Sequence, residues 1–133
     1  MPDELLKRFT RHPSAADSEI RELEQSSSPL LPAEYLEFLR ESNGGQGFVG
    51  DAYLILWKAD EVIEFNGLYE IAKYAPGLLL FGSDGGGDAF AFDTRSEPWP
   101  IVMVPFIGMG LDVALPIAPS FAAFFAALAK RSH

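Results

Sequence analysis

The stretch of this 133-residue chain with the most conspicuous chemical potential is Gly82-Ser83-Asp84-Gly85-Gly86-Gly87-Asp88. A phosphate-binding loop needs a lysine and then serine or threonine after its last glycine, and it opens a helix. Here Asp88 follows the glycines, and the next run, Ala89 to Asp93, has the small–aromatic alternation of a strand. The carboxylates of Asp84 and Asp88 would also repel phosphate. Calcium suits carboxylates better, but the EF-hand spacing is missing and its twelfth position has no acid. A glycine-rich hairpin turn accounts for the segment most simply, with glycine supplying positive φ and the aspartates exposed. Contact with a partner and metal binding stay open beside it.

Other chemistries have less material. The only histidines are His12, near one end, and His133, the last residue; there is no cysteine. A Ser/His/Asp triad, a histidine metal cluster and a thiolate site therefore lack their parts. Glu61, Glu64, Glu70, Asp84, Asp88 and Asp93 supply carboxylates for acid–base work, but no spacing singles out a pair. No catalytic residue, metal ligand or cofactor is assigned. Phe90, Phe92, Phe121, Phe124 and Phe125 stand at core periods. Trp57, Trp99, Tyr53 and Tyr69 stand near strand ends or loops, where they either pack locally or anchor an interface.

Charge is more informative. The chain has 19 acidic and 10 basic residues, a net charge of −9. Binding to nucleic acid or an anionic membrane needs Lys and Arg to neutralise phosphate, so neither is expected. Between Glu41 and Ala129 eleven acids face only Lys58, Lys73 and Arg95. The strand-rich part should carry a negative face that attracts a basic protein.

These residues need a scaffold, and the length fits one domain. Residues 1–13 are expected as an arm or short helix, and 14–133 as a single domain. Ser14 and Asp17 resemble a helix cap ahead of Ile20 and Leu23, with Ser26 to Pro29 ending that helix. Pro32 fits the first turn of a second helix carrying Tyr35, Leu36, Phe38 and Leu39, and Asn43-Gly44-Gly45 stops it. Tyr53–Trp57, Leu78–Phe81, Ala89–Asp93, Ile101–Val104 and Val113–Pro116 read as strands. Leu78–Phe81 is apolar throughout and so buried on both faces. Ala59 to Asn66 reads as one or two helical turns, and Gly67 to Ala75 is ambiguous. Phe121, Phe124, Phe125 and Leu128 line one face of a final helix capped by Ser120. From Pro98 to Ala129 Asp112 is the only charge, but six prolines and glycines interrupt the run, which argues against a membrane span. Met1 to Arg8 lacks the apolar core of a signal peptide. The order predicts an α+β fold: a largely antiparallel sheet with two N-terminal helices and a C-terminal helix packed on it.

Three motifs in order resemble the SUKH superfamily, also called the Smi/Knr-like or cell-wall-assembly-regulator-like domain. They are Leu31-Pro32-Ala33-Glu34-Tyr35 through Asn43-Gly44-Gly45; Phe81 to Asp93 with its Gly/Asp turn; and Ala118-Pro119-Ser120-Phe121 with Phe124 and Leu128. The resemblance spans residues 20–128; the prolines at 98, 100 and 105 are a local departure. It implies a non-catalytic domain, in bacteria mostly an immunity protein that binds and blocks a toxin. It also implies that Leu31, Pro32, Asn43, Gly44, Gly82, Gly87 and Asp88 are fold determinants.

The expected function is therefore a cytoplasmic immunity protein that neutralises a basic cognate toxin, of nuclease type, through an acidic surface. The alternatives are a regulatory or scaffold module without a toxin partner, and a carboxylate enzyme or metal protein. The expected contacts are exposed aromatics flanked by carboxylates: Trp57, Glu61, Glu64, Tyr69, Asp84, Asp88 and Trp99.

Overall fold

In the computed structural model of the protein, the described residues are 5–26, 31–97 and 99–131. The first four residues of the expected arm, the helix stop at 27–29, Pro98 and His133 lie outside them. The class is α+β, as expected. Among the described residues seven strands form one antiparallel sheet in which spatial order follows chain order. They are β1 (Arg8–Arg11), β2 (Gly45–Val49), β3 (Ala52–Leu56), β4 (Leu78–Ser83), β5 (Asp88–Asp93), β6 (Ile101–Pro105) and β7 (Leu115–Ala118). Helices α1 (Asp17–Ser26) and α2 (Ala33–Glu41) lie between β1 and β2 in the chain; α3 (Ala59–Leu68) and α4 (Ile71–Tyr74) lie between β3 and β4. A 3₁₀ turn at Leu111–Val113 precedes β7, and α5 (Phe121–Arg131) ends the fold.

The inner layer follows from two periodicities. Phe90 and Phe92 point to one face of β5, while Phe121, Phe124, Phe125 and Leu128 form the buried stripe of α5. Phe90 meets Phe124 edge-on at 5.1 Å, and Phe81 of β4 stacks on Phe92 at 4.4 Å. Tyr35 of α2 inserts between Phe92 at 5.1 Å and Phe121 at 5.3 Å. Ser120 caps α5 as expected, its Oγ accepting the Ala123 N–H at 3.2 Å. The Tyr35 hydroxyl is buried without a hydrogen-bond partner among the described residues, and that burial pushes its pKa up.

The sheet centre is covered on both faces. Every residue of β4 is buried, and Ala89 and Ala91, which alternate with the phenylalanines of β5, are as fully enclosed as they are. Helices α3 and α4 pack against β4. Their position depends on a gap in the ladder: β3 pairs with β4 only at Ile55–Ser83 and Leu56–Gly82. Beyond it, the Asn66 carboxamide of α3 takes the place of a strand peptide. Its Oδ1 accepts the Leu80 N–H and its Nδ2 donates to the Leu80 carbonyl, both at 2.9 Å.

Three local expectations need correction. Residues 8–11 are neither helix nor arm but edge strand β1, paired with β2 from Arg8–Phe48 to Arg11–Gly45. Pairing makes this charged tetrapeptide a strand, with Phe9 its one buried side chain. β2 is a strand where none was expected, only its Gly45 belonging to the expected helix stop; its Gly47 has φ +152, and a Cβ there would lie 2.6 Å from the Phe9 Cα. Helix α1 begins at Asp17, and the reach-back is made by Glu19, whose Oε1 accepts the Ala16 N–H at 2.9 Å. The last strand is displaced to Leu115–Ala118, because residues 111–113 close a 3₁₀ turn.

Two variants should move stability in opposite directions. Tyr35→Phe removes an unpaired buried hydroxyl and should stabilise by about 1 kcal/mol, raising Tm by about 3 °C. Asn66→Ala strands two buried backbone groups of Leu80 and should cost about 2–3 kcal/mol by urea denaturation.

Candidate interaction surface

Between β3 and α3 the chain turns sharply, and Trp57 sits in that turn. Only 7% of it is exposed: its ring packs edge-on against Phe65 of α3 at 4.8 Å and lies 6.4 Å from Phe106. The first turn of α3 is closed by two side chains. Glu61 Oε1 accepts the Lys58 N–H at 2.9 Å, and Asn43 Oδ1 accepts the Ala59 N–H at 2.8 Å. Glu61 is thus half-buried and engaged in its own helix, whereas Glu64, on the next turn, is exposed. Tyr69 follows the end of α3; it is 40% exposed, with its ring 4.8 Å from Phe106.

The Gly82–Asp88 segment is a turn, as expected, and Asp84 holds it. Its Oδ1 accepts the N–H groups of Gly86 at 2.8 Å and Asp88 at 3.2 Å, while its own N–H donates to the Asp88 carbonyl at 3.1 Å. Asp84 and Asp88 are half-buried rather than splayed into solvent. They line a 330 Å³ groove with Asp51, Tyr53, Met103 and Arg131. Trp99 lies elsewhere. It is 7% exposed, with φ +66, and borders a 390 Å³ cleft with Pro32, Glu34, Glu97 and Phe121.

The seven expected contact residues therefore occupy three places: the side of α3, the β4–β5 turn and the Trp99 cleft. Neither tryptophan is an exposed ring; Tyr69 is the aromatic that meets that description. Sequence reasoning missed Leu68, Tyr74, Ile107 and Val113, which are 67%, 51%, 93% and 40% exposed. The signal for Ile107 was present: an apolar side chain between Phe106 and Gly108 in a loop that was assigned no strand or helix.

Among the described residues no three of His, Cys, Asp and Glu gather closely enough to hold a metal ion. His12 is structural: its Nδ1 donates to the Asn43 carbonyl at 3.2 Å. No helix among the described residues is long and apolar enough to cross a membrane.

The pattern of a meander sheet, an Asn-Gly junction and a Gly/Asp turn has a counterpart in known families. A family model described as the SMI1 / KNR4 family (SUKH-1) matches residues 14–127. The chain belongs to the SMI1/KNR4 (SUKH-1) family. No curated protein matches it significantly. SUKH-1 is associated with immunity proteins, and the superfamily is in general one of non-catalytic immunity or regulatory domains. Most of the SUKH signature positions have visible structural work here. Leu31 is in the core, Asn43 caps α3, and Gly82 faces the Ile55 carbonyl too closely to admit a Cβ. Gly87 faces open space where a Cβ would stand, and contributes its carbonyl to the Phe106 N–H at 2.9 Å.

Asp84 and Asp88 should separate cleanly. Asp84→Ala loses both turn hydrogen bonds and should cost about 1–2 kcal/mol in urea denaturation. Asp88→Ala keeps them and should stay within about 0.5 kcal/mol of wild type.

Proposed function

We propose that this SUKH-1 protein is an immunity protein. It acts by stoichiometric binding rather than catalysis, and the acidic surface of its strand-rich part docks on a basic, nuclease-type toxin domain in the cytoplasm. The observation that carries this reading is the acid excess between Glu41 and Ala129 together with the state of its three cations. Lys73 pairs with Glu70 at 3.9 Å. Arg95 pairs side-on with Asp93, its Nε and Nη2 donating to the two carboxylate oxygens at 2.9 and 3.0 Å, and these hydrogen bonds hold the Asp93 carboxyl below the usual carboxylate range. Two of the three positive charges are thus already matched by neighbours, and the remaining carboxylates set the sign of the surface. A surface of one sign raises the encounter rate with an oppositely charged partner and disfavours anionic ones.

The reading is tested with the protein encoded beside this gene. Co-expression should rescue cells from its toxicity, and the purified pair should form a one-to-one complex. The association rate should fall at least about tenfold from low to high salt, because steering is screened within a Debye length. A salt-independent rate contradicts the electrostatic mechanism. A neighbour that is no toxin, yet binds, favours the regulatory-module reading.

A further inference from the structure

The exposed apolar side chains are not scattered. The described residues include seven large hydrophobic side chains that are exposed, and five of them belong to two short segments: Leu68, Tyr69 and Tyr74 at the α3–α4 end, and Ile107 and Val113 in the β6–β7 connection. The two segments touch. Tyr69 packs on Phe106 at 4.8 Å, and a Cβ on Gly110 would lie 3.9 Å from the Tyr74 carbonyl oxygen. Single exposed apolar residues are ordinary, but a cluster of this kind marks a surface that another molecule covers.

The charges on the elements that carry these segments, the whole of α3 with α4 and the β6–β7 connection, say what kind of molecule. Residues 59–74 and 106–115 hold Asp60, Glu61, Glu64, Glu70 and Asp112 against Lys73 alone. Lys73 is held by Glu70 and lies 5.1 Å from the centre of the Tyr74 ring. An apolar centre with a carboxylate rim is the complement of an apolar centre with a Lys/Arg rim. A second copy of this chain does not fit, because a two-fold interface would set this carboxylate rim against itself.

The backbone points to the same place. Glu70 is left-handed, with φ 50 and ψ 48, between the two tyrosines and at the junction of the two helices. A non-glycine residue held there is backbone strain, retained where the surrounding structure over-determines it. Glu70 stands where α3 ends and the chain restarts as α4.

We infer that the α3–α4 end and the β6–β7 connection form one docking surface, centred on Tyr69, Tyr74 and Ile107, for a protein whose facing patch is apolar at its centre and cationic at its rim. This rests on the binding reading above and places its contact face. It moves the contact away from the two buried tryptophans and from the Asp84–Asp88 turn.

The test is calorimetric titration of the purified protein encoded by the adjacent gene into wild type, Tyr74→Ala, Ile107→Ser, Asp112→Lys and Asp88→Lys. The first three alter exposed side chains and should leave the circular dichroism and Tm unchanged. Tyr74→Ala and Ile107→Ser should each weaken binding at least about tenfold, as tyrosine and central apolar anchors do. Asp112→Lys should weaken it and flatten its salt dependence, while Asp88→Lys should change it less than about threefold. Full affinity in the three surface variants, with wild-type binding intact, overturns this surface and leaves the binding function standing. No binding by wild type overturns the function and this surface with it. A concentration-dependent dimer of wild type that Ile107→Ser abolishes, seen by sedimentation equilibrium, overturns the proposal in favour of self-association.

Discussion

One side-chain oxygen, Oδ1 of Asn43, sets where the outer helical layer begins. It accepts the Ala59 N–H and so fixes the first turn of α3, sixteen residues further along the chain. The same residue's backbone is tied in two more directions: its N–H donates to the Pro13 carbonyl at 2.8 Å, and its carbonyl accepts from His12. The hydroxyl of Ser42 before it donates forward to the Gly44 carbonyl. Gly44 after it has φ +81, and a Cβ would sit 2.9 Å from the Trp57 carbonyl carbon and 3.0 Å from the Lys58 nitrogen. The end of α2, the approach from β1, the start of β2 and the passage from β3 into α3 are thereby held at one point. A helix start left without these partners would carry unsatisfied buried donors, which fold-level packing alone does not repair.

From that point the outer layer follows. α3 runs along β4 where β3 gives out, and Asn66 satisfies the Leu80 peptide that the short ladder leaves over. Two asparagine side chains thus do what backbone pairing does elsewhere in the sheet. The sheet centre becomes a layer enclosed on both sides. The apolar residues that remain outside, Tyr69, Tyr74 and Ile107 among them, gather where α3, α4 and the β6–β7 connection meet. Of the eleven carboxylates between Glu41 and Ala129, Asp60, Glu61, Glu64, Glu70 and Asp112 lie on those same elements.

Much of this was legible in the residues, and the limits are physical. α5 was legible because four large side chains fall on one stripe. β4 and β5 were legible because unbroken apolar character and a strict alternation survive in any context. β1 and β2 were not. Arg8-Phe9-Thr10-Arg11 has one inward side chain, and Gly45 and Gly47 have none, so their strand character comes from each other through the ladder. α4 is four residues long, and the turn that produces it depends on a left-handed glutamate that no propensity favours. The role of Asn43 was read as a helix stop; its partner lies beyond the reach of local pattern. At the candidate surface, residue type suggested aromatics with carboxylates, and of the residues it named Tyr69 and Glu64 are exposed. Exposure is decided by packing, which is why Trp57 and Trp99 were expected outside and are inside, while Tyr74 and Ile107 were overlooked.

The most direct measurement of this account is amide hydrogen exchange on Asn43→Ala, compared residue by residue with wild type. Loss of the cap should speed exchange across α3 and α4 by roughly 5–30-fold, the effect of 1–2 kcal/mol, while the inner amides of β5, β6 and α5 change much less. An even loss of protection over the whole chain, or protection of α3 indistinguishable from wild type, would contradict the claim that this one oxygen positions the outer layer.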